Sequence, residues 1–331
     1  MYNEQKWIKY GEYSFLPCSK LNSVRLKALR GFSKGNYPHI VNFAITWKCN
    51  SACRMCNIWK EKSDVEIPVE KVEKIFSDEL FRKTKLIKIT GGEPTLHTQL
   101  PQIIEIISTL APEAKIAINT NGYPFKRIKK VVDSCLDVRD DLIFSVALDG
   151  IGETHNYVRG KECYEEVMKT IDYLEELKQS KKVLYRFSFT ITPWNYRDLP
   201  KVVEFARERS TYVGFRVMHI DKLYRNVDLK ANGLKDEIRP IVKKVGGNYF
   251  QENITSDVTV NCFAFVNSVF IDPQGKFHPC LYREGEGNGE LSQLWTGDRG
   301  KKIRENTKKC ARCWSDCQTI PNIIANFGEF K

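Results

Sequence analysis

Residues 39–60 read HIVNFAITWKCNSACRMCNIWK, and the reading of the fold starts from this stretch. Its first half is apolar and rich in β-branched and aromatic residues, the composition of a buried strand. Its second half is a loop carrying Cys49, Cys53 and Cys56 in the spacing C-x3-C-x2-C. A strand that empties into a loop of reactive side chains is the local plan of α/β folds. In such folds the active face lies at the C-terminal ends of parallel strands.

The plan repeats downstream. Short β-rich runs at residues 39–46, 86–90, 114–119, 142–148, 184–192 and 213–219 alternate with amphipathic stretches at 69–80, 100–110, 125–135, 164–179 and 199–208. In 164–179, Val167, Ile171, Leu174 and Leu177 recur at helical spacing. Parallel strands need long connections, so six strands with helical crossovers predict a parallel α/β sheet. Four regions are expected: an appendage at 1–38, the α/β body at 39–220, a polar connection at 221–257 and a cysteine-rich unit at 258–331.

Composition narrows the function. The chain has 331 residues, 42 % apolar and 28 % charged, as in an ordinary globular protein. No apolar run reaches the roughly 18 residues of a membrane span, and the N-terminal residues lack the apolar core of a signal peptide. A cytoplasmic location with reduced thiols is therefore expected. In that setting 11 cysteines, an odd number, argue for metal ligation over a paired disulfide framework. Cys18, Cys135 and Cys163 stand alone and are read as thiols without function. The net charge of +11 would attract an anionic partner. Its basic runs, such as KQSKK and KKIREN, are short and scattered, so nucleic-acid binding is not expected.

Three thiolates as close as Cys49, Cys53 and Cys56 can hold three corners of one cubane and leave the fourth iron open for substrate. The alternative is a zinc site with its fourth ligand elsewhere. Further motifs follow at the ends of later strands: Thr90-Gly91-Gly92-Glu93-Pro94, then Asn119-Thr120-Asn121-Gly122, then Ser145-Val146-Ala147-Leu148-Asp149-Gly150 with His155 and Arg159-Gly160. The two glycines allow close backbone approach to a ligand, and Glu93 can accept from an ammonium.

Together these motifs resemble the radical S-adenosylmethionine (radical SAM) superfamily. The resemblance implies a partial (β/α)6 TIM-like barrel with a [4Fe–4S] cluster on Cys49, Cys53 and Cys56. It also implies S-adenosylmethionine bound to the free iron and cleaved to a 5′-deoxyadenosyl radical. Met55 would contact the adenine, and Gly91, Gly92 and Glu93 the methionyl amino group. Asn119 would face the same side, Ser145 would meet the ribose, and Arg159 would pair with the carboxylate. Thr190 and Thr192 are further candidates for ribose or substrate. A reductant such as flavodoxin or ferredoxin is implied as partner, with an unknown small-molecule or peptide substrate.

The second cysteine group comprises Cys262, Cys280, Cys310, Cys313 and Cys317, with the turn signal Asp272-Pro273-Gln274-Gly275 between the first two. The hairpin would bring Cys262 and Cys280 to the same end. The spacing is similar to the SPASM/twitch extensions, which implies one auxiliary [4Fe–4S] cluster. Five thiols for four corners leave the ligand set open, and a zinc ribbon is the alternative. At the end of the sixth strand, Arg216, His219 and Asp221 are candidates for binding substrate or taking a proton. The expected reaction is a two-electron oxidation or another radical modification, with an epimerase, or a zinc-stabilised binding protein, as alternatives.

Overall fold

Every second residue of the main strands is apolar and faces the helices, and this alternation sets the architecture of the computed structural model. The structure describes residues 7–10, 13–17, 37–61, 64–180, 183–218, 220, 226, 234–245, 262, 264–280, 283, 285–287, 289–308 and 310. Strands β1 (Trp7–Tyr10) and β2 (Tyr13–Pro17) pair as a separate antiparallel hairpin. The main sheet runs through β3 (Ile40–Thr46), β4 (Leu86–Gly91), β5 (Lys115–Thr120), β6 (Ile143–Ala147), β7 (Leu184–Ile191) and β8 (Val213–Val217), each parallel to the next. All six predicted strands are present, with ends shifted by a residue or two.

The crossovers are α1 (Val69–Phe76), α2 (Leu100–Leu110), α3 (Phe125–Leu136), α4 (Glu153–Arg159), α5 (Tyr164–Ser180) and α6 (Leu199–Glu208). In α2, Leu100, Ile103, Ile104 and Ile107 form one fully buried stripe. They join Val41, Phe43, Ile45, Ile87, Ile89, Ile116 and Ile118 in the core between sheet and helices. Each such side chain contributes roughly 1.5–3 kcal/mol over its exposed state. The stretch predicted as one helix over 69–80 is broken. Asp78 Oδ1 accepts from Leu80 N at 3.0 Å and starts a separate 3-10 turn at Glu79–Phe81.

Beyond β8 come α7 (Leu234–Lys244), β9 (Ser268–Ile271), β10 (Phe277–His278), α8 (Leu291–Thr296) and α9 (Asp298–Lys308). The cysteine-rich region does not stand apart from the sheet. Strand β9 pairs parallel with β3, Ile40 opposite Ser268 and Phe43 opposite Ile271, and β10 pairs antiparallel with β9. The sheet therefore has eight strands in the order β10-β9-β3-β4-β5-β6-β7-β8. It is an incomplete α/β barrel whose active loops gather at the C-terminal end of β3–β8. Among the described residues no helix is long and apolar enough to cross a membrane.

Candidate active site

The inner face of the sheet is polar where the outer face is apolar. Asn42, Lys88, Asn119, Ser145, Arg186, Thr190 and Arg216 line a cavity of about 210 Å³, closed at the strand C-termini by the cysteine loop. Cys49, Cys53 and Cys56 share its wall with Met55, Gly91, Gly92, Glu93 and Arg159. The structure thus brings together most of the predicted site.

The cysteine loop is held by four neighbours. Behind it, Gly92 N donates to Thr46 O at 2.8 Å and Glu93 N to Lys48 O at 2.7 Å. A Cβ on Gly91 would lie 2.2 Å from Thr46 O, and one on Gly92 2.1 Å from Lys48 O. These glycines are therefore required by the backbone of the cysteine loop itself, and both also line the cavity. On one side, Asn121 Nδ2 donates to Asn50 Oδ1 at 2.7 Å, and Tyr123 OH meets both Asn50 O and Ser51 Oγ at 2.9 Å. On the other, α4 supplies Val158 O to Arg54 N at 2.9 Å and Arg159 O to Ala52 N at 3.3 Å. Gly160, at φ +65°, leaves room for Ala52. Asn226 Nδ2 also donates to Met55 O at 2.8 Å.

Glu93 is buried, and its carboxylate is already engaged. Oε1 accepts from Thr95 N, Thr95 Oγ1 and Thr120 Oγ1, and Oε2 from Asn121 N at 2.7 Å. It pins the turn after β5 against the turn after β4. Burial pushes its pKa up against the pull of these donors. Arg159 forms an ion pair with the fully buried Asp149, Nη2 to Oδ2 at 2.6 Å, and its Nη1 reaches Cys53 Sγ at 3.5 Å. Its Nε is buried without an acceptor. Met55 packs in a small apolar cluster with Cys53, Val158 and Met218.

Ser145 Oγ accepts from Arg186 Nε at 3.1 Å. Thr190 lines the cavity and its N–H donates to Asp149 Oδ1 at 2.6 Å. Thr192 differs from expectation: it lies outside the cavity lining, its N–H and hydroxyl both donating to Asn195 Oδ1. Arg216 lines the cavity beside Ser188, whereas His219, Asp221, Cys313 and Cys317 lie outside the described residues. Lys88 and Arg186 were not singled out by sequence, and Asp149 stood in a quoted motif without a role of its own. The available signal was a cation between two apolar neighbours in a buried strand, Ile87-Lys88-Ile89 and Tyr185-Arg186-Phe187.

In the second cysteine group, Asp272 Oδ1 accepts from Gln274 N and Lys276 N, making the predicted hairpin turn. Cys262 N donates to Cys310 O at 3.2 Å, and Ala264 bridges to Ser268 at the start of β9. Cys280, two residues past β10, follows the same direction. This end of β9 adjoins Ile40, at the end of β3 opposite to Cys49. Six residue steps of β3 put the two ends about 20 Å apart.

The donor set fits an iron–sulfur cubane. Burial first, then the nearby Cys53, Glu93 and Cys56, pushes the Cys49 thiol up to about 12, against the pull of Ser51 N–H. The unpartnered Arg159 Nε offers a donor to an anionic group in the cavity.

The fold and site define a radical SAM enzyme, and residues 44–206 match the radical SAM superfamily. The chain belongs to that superfamily. It is 30 % identical over 292 residues to a GTP 3′,8-cyclase of Vibrio atlanticus, covering 79 % of this chain and 83 % of that protein. A GTP 3′,8-cyclase of Aliarcobacter butzleri is 26 % identical over 281 residues, 76 % of this chain and 82 % of that one. In fold it resembles Streptococcus suis SuiB bound to S-adenosylmethionine, with a TM-score of 0.64 at 17 % identity over 81 % of this chain and 68 % of that one.

Proposed function

We propose that the chain uses S-adenosylmethionine and a [4Fe–4S] cluster on Cys49, Cys53 and Cys56 to abstract hydrogen from a small anionic substrate. When bound, the cluster and S-adenosylmethionine supply one-electron chemistry that ends in hydrogen abstraction. The chain's own residues hold and orient the reactants. Glu93, Asn119, Ser145, Thr190 and Arg159 are the candidates to hold S-adenosylmethionine, and Met55 presents an apolar surface beside the cysteines.

The observation that carries the substrate class is the charge of the cavity. Its lining has four cations, Lys88, Arg159, Arg186 and Arg216, and one carboxylate, Glu93, among the described residues. Lys88 and Arg186 are buried. An excess of positive charge lining an enclosed cavity favours an anionic ligand. A phosphorylated or carboxylated small molecule fits this better than a neutral peptide segment, and the resemblance to GTP cyclases makes GTP the first compound to assay. An auxiliary [4Fe–4S] cluster on Cys262, Cys280 and two of Cys310, Cys313 and Cys317 belongs to this reading. A two-electron oxidation assisted by it remains part of the proposal.

Anaerobic reconstitution tests this reading. Cys49→Ala/Cys53→Ala/Cys56→Ala should lose 5′-deoxyadenosine formation, and its retention would overturn the assignment. Lys88→Met and Arg186→Met should each raise KM for an anionic substrate about tenfold to a hundredfold, the loss of one charge-assisted contact. Equal turnover of neutral and anionic analogues would refute the charge argument. A product two mass units lighter than substrate supports oxidation, and one of unchanged mass supports an isomerising or cyclising reaction.

A further inference from the structure

Helix α4 is seven residues long and places His155 and Arg159 four apart, on one face. Both meet Asp149, two residues past the end of β6. Asp149 N donates to His155 Nδ1 at 3.1 Å, and Arg159 Nη2 meets Asp149 Oδ2 at 2.6 Å. Asp149 Oδ1 accepts from Thr190 N, and Asp149 O from Asn195 Nδ2 at 2.9 Å. All of these side chains are buried except that of Thr190, which is partly so. The backbone of Asp149 is thus held by His155 and Asn195, and its carboxylate by the Thr190 N–H, before it meets the guanidinium.

The other arm of that guanidinium, Nη1, points at Cys53 Sγ at 3.5 Å. The expected role of Arg159, a clamp on the methionyl carboxylate, leaves this contact and the Asp149 pair unexplained. We propose that Asp149 holds Arg159 as a donor to the Cys53 sulfur, and that this pair sets how readily the cluster on that cysteine takes up an electron. Arg159 is on this view a positioning residue that acts through a cluster ligand. The physical basis is that hydrogen bonds and positive charge at a ligating sulfur stabilise the more negative, reduced cluster. Asp149 works in the opposite sense, cancelling part of the guanidinium charge while fixing its direction. The inference rests on the cluster assignment proposed above.

The two residues therefore predict shifts of opposite sign. In the reconstituted holoenzyme, the reduced form of the cluster is followed by electron paramagnetic resonance during a redox titration. The signal monitored is the one lost in Cys49→Ala/Cys53→Ala/Cys56→Ala. Arg159→Met should lower the reduced-to-oxidised ratio at fixed potential about tenfold, equivalent to a shift of about 59 mV for one electron. Asp149→Asn should raise the ratio, and Arg159→Lys, which keeps the charge, should recover most of the Arg159→Met loss. Titrations of Arg159→Met and Asp149→Asn that superimpose on wild type, or that shift in the same direction, would overturn the inference. If Arg159→Met fails to bind iron, the Asp149→Asn and Arg159→Lys shifts decide it by the same signs. A wild-type chain with no reducible cluster sensitive to the three cysteines would instead overturn the cluster assignment itself.

Discussion

The buried imidazole of His155 gives the chain an acid sensitivity that can be worked from its surroundings. The ring is fully buried, its Nδ1 accepts from Asp149 N, and its Nε2 has no partner. Burial, and secondarily the Arg159 charge, pushes its pKa down to about 3. An unfolded His takes up its proton near 6.5. Between these values the unfolded chain binds more protons than the folded one, so stability rises with pH and is lost as pH falls below about 6.5. Each pH unit is worth about 1.4 kcal/mol, and the loss between about pH 7 and about pH 5 is about 2 kcal/mol from this residue alone. His155→Asn puts an amide oxygen near the Nδ1 position and removes the titration. Urea unfolding of the iron-free chain at the two pH values should show the wild type losing about 2 kcal/mol more than the variant. The comparison cancels other titrating groups, including His39, whose pKa burial also lowers. Equal losses in the two proteins would refute an uncharged, buried His155.

Gly92→Ala forces a Cβ to within 2.1 Å of Lys48 O, which is backbone and cannot swing aside. The expected cost is about 1–3 kcal/mol of stability with less iron held by the cysteine loop, checked by thermal unfolding and iron content; an unchanged melting temperature would contradict the close packing. Asp272→Ala removes the acceptor for Gln274 N and Lys276 N and the 2.7 Å partner of His278. It should cost about 1–3 kcal/mol and speed amide exchange through the β9–β10 hairpin, while Asp272→Asn, which keeps the turn acceptor, should cost less.

The six parallel strands were legible because a buried strand must be a run of β-forming apolar residues, and helices between them show their own period. What was illegible was non-local. Nothing in Ser-Val-Phe-Ile at 268–271 says which edge it joins, so the C-terminal segment reads as separate although it completes the sheet. Helix α4 escaped because seven residues are too few for a period, and with it went the i, i+4 relation of His155 and Arg159. Of the site, the cysteines, Glu93 and Arg159 were found by motif, but their partners were not. Glu93 bonds Thr120 and Asn121, and Arg159 meets Asp149, through contacts between loops that only the sheet brings together.

The pairing of β9 with β3 also imposes an order on biosynthesis. Residues 40–46, IVNFAIT, are made early, and β4 covers one of their edges soon afterwards. The other edge waits until residue 271 has left the ribosome. During that interval the nascent chain exposes a strand without Lys, Glu or Pro, the kind of edge that recruits foreign strands. The contact that shields it also joins the most distant segments of the sheet, a slow event in folding. Strands β9 and β10 are thus a guard for β3, and the loop that carries Cys49, Cys53 and Cys56 extends from a strand that is sealed only once residue 271 has been made.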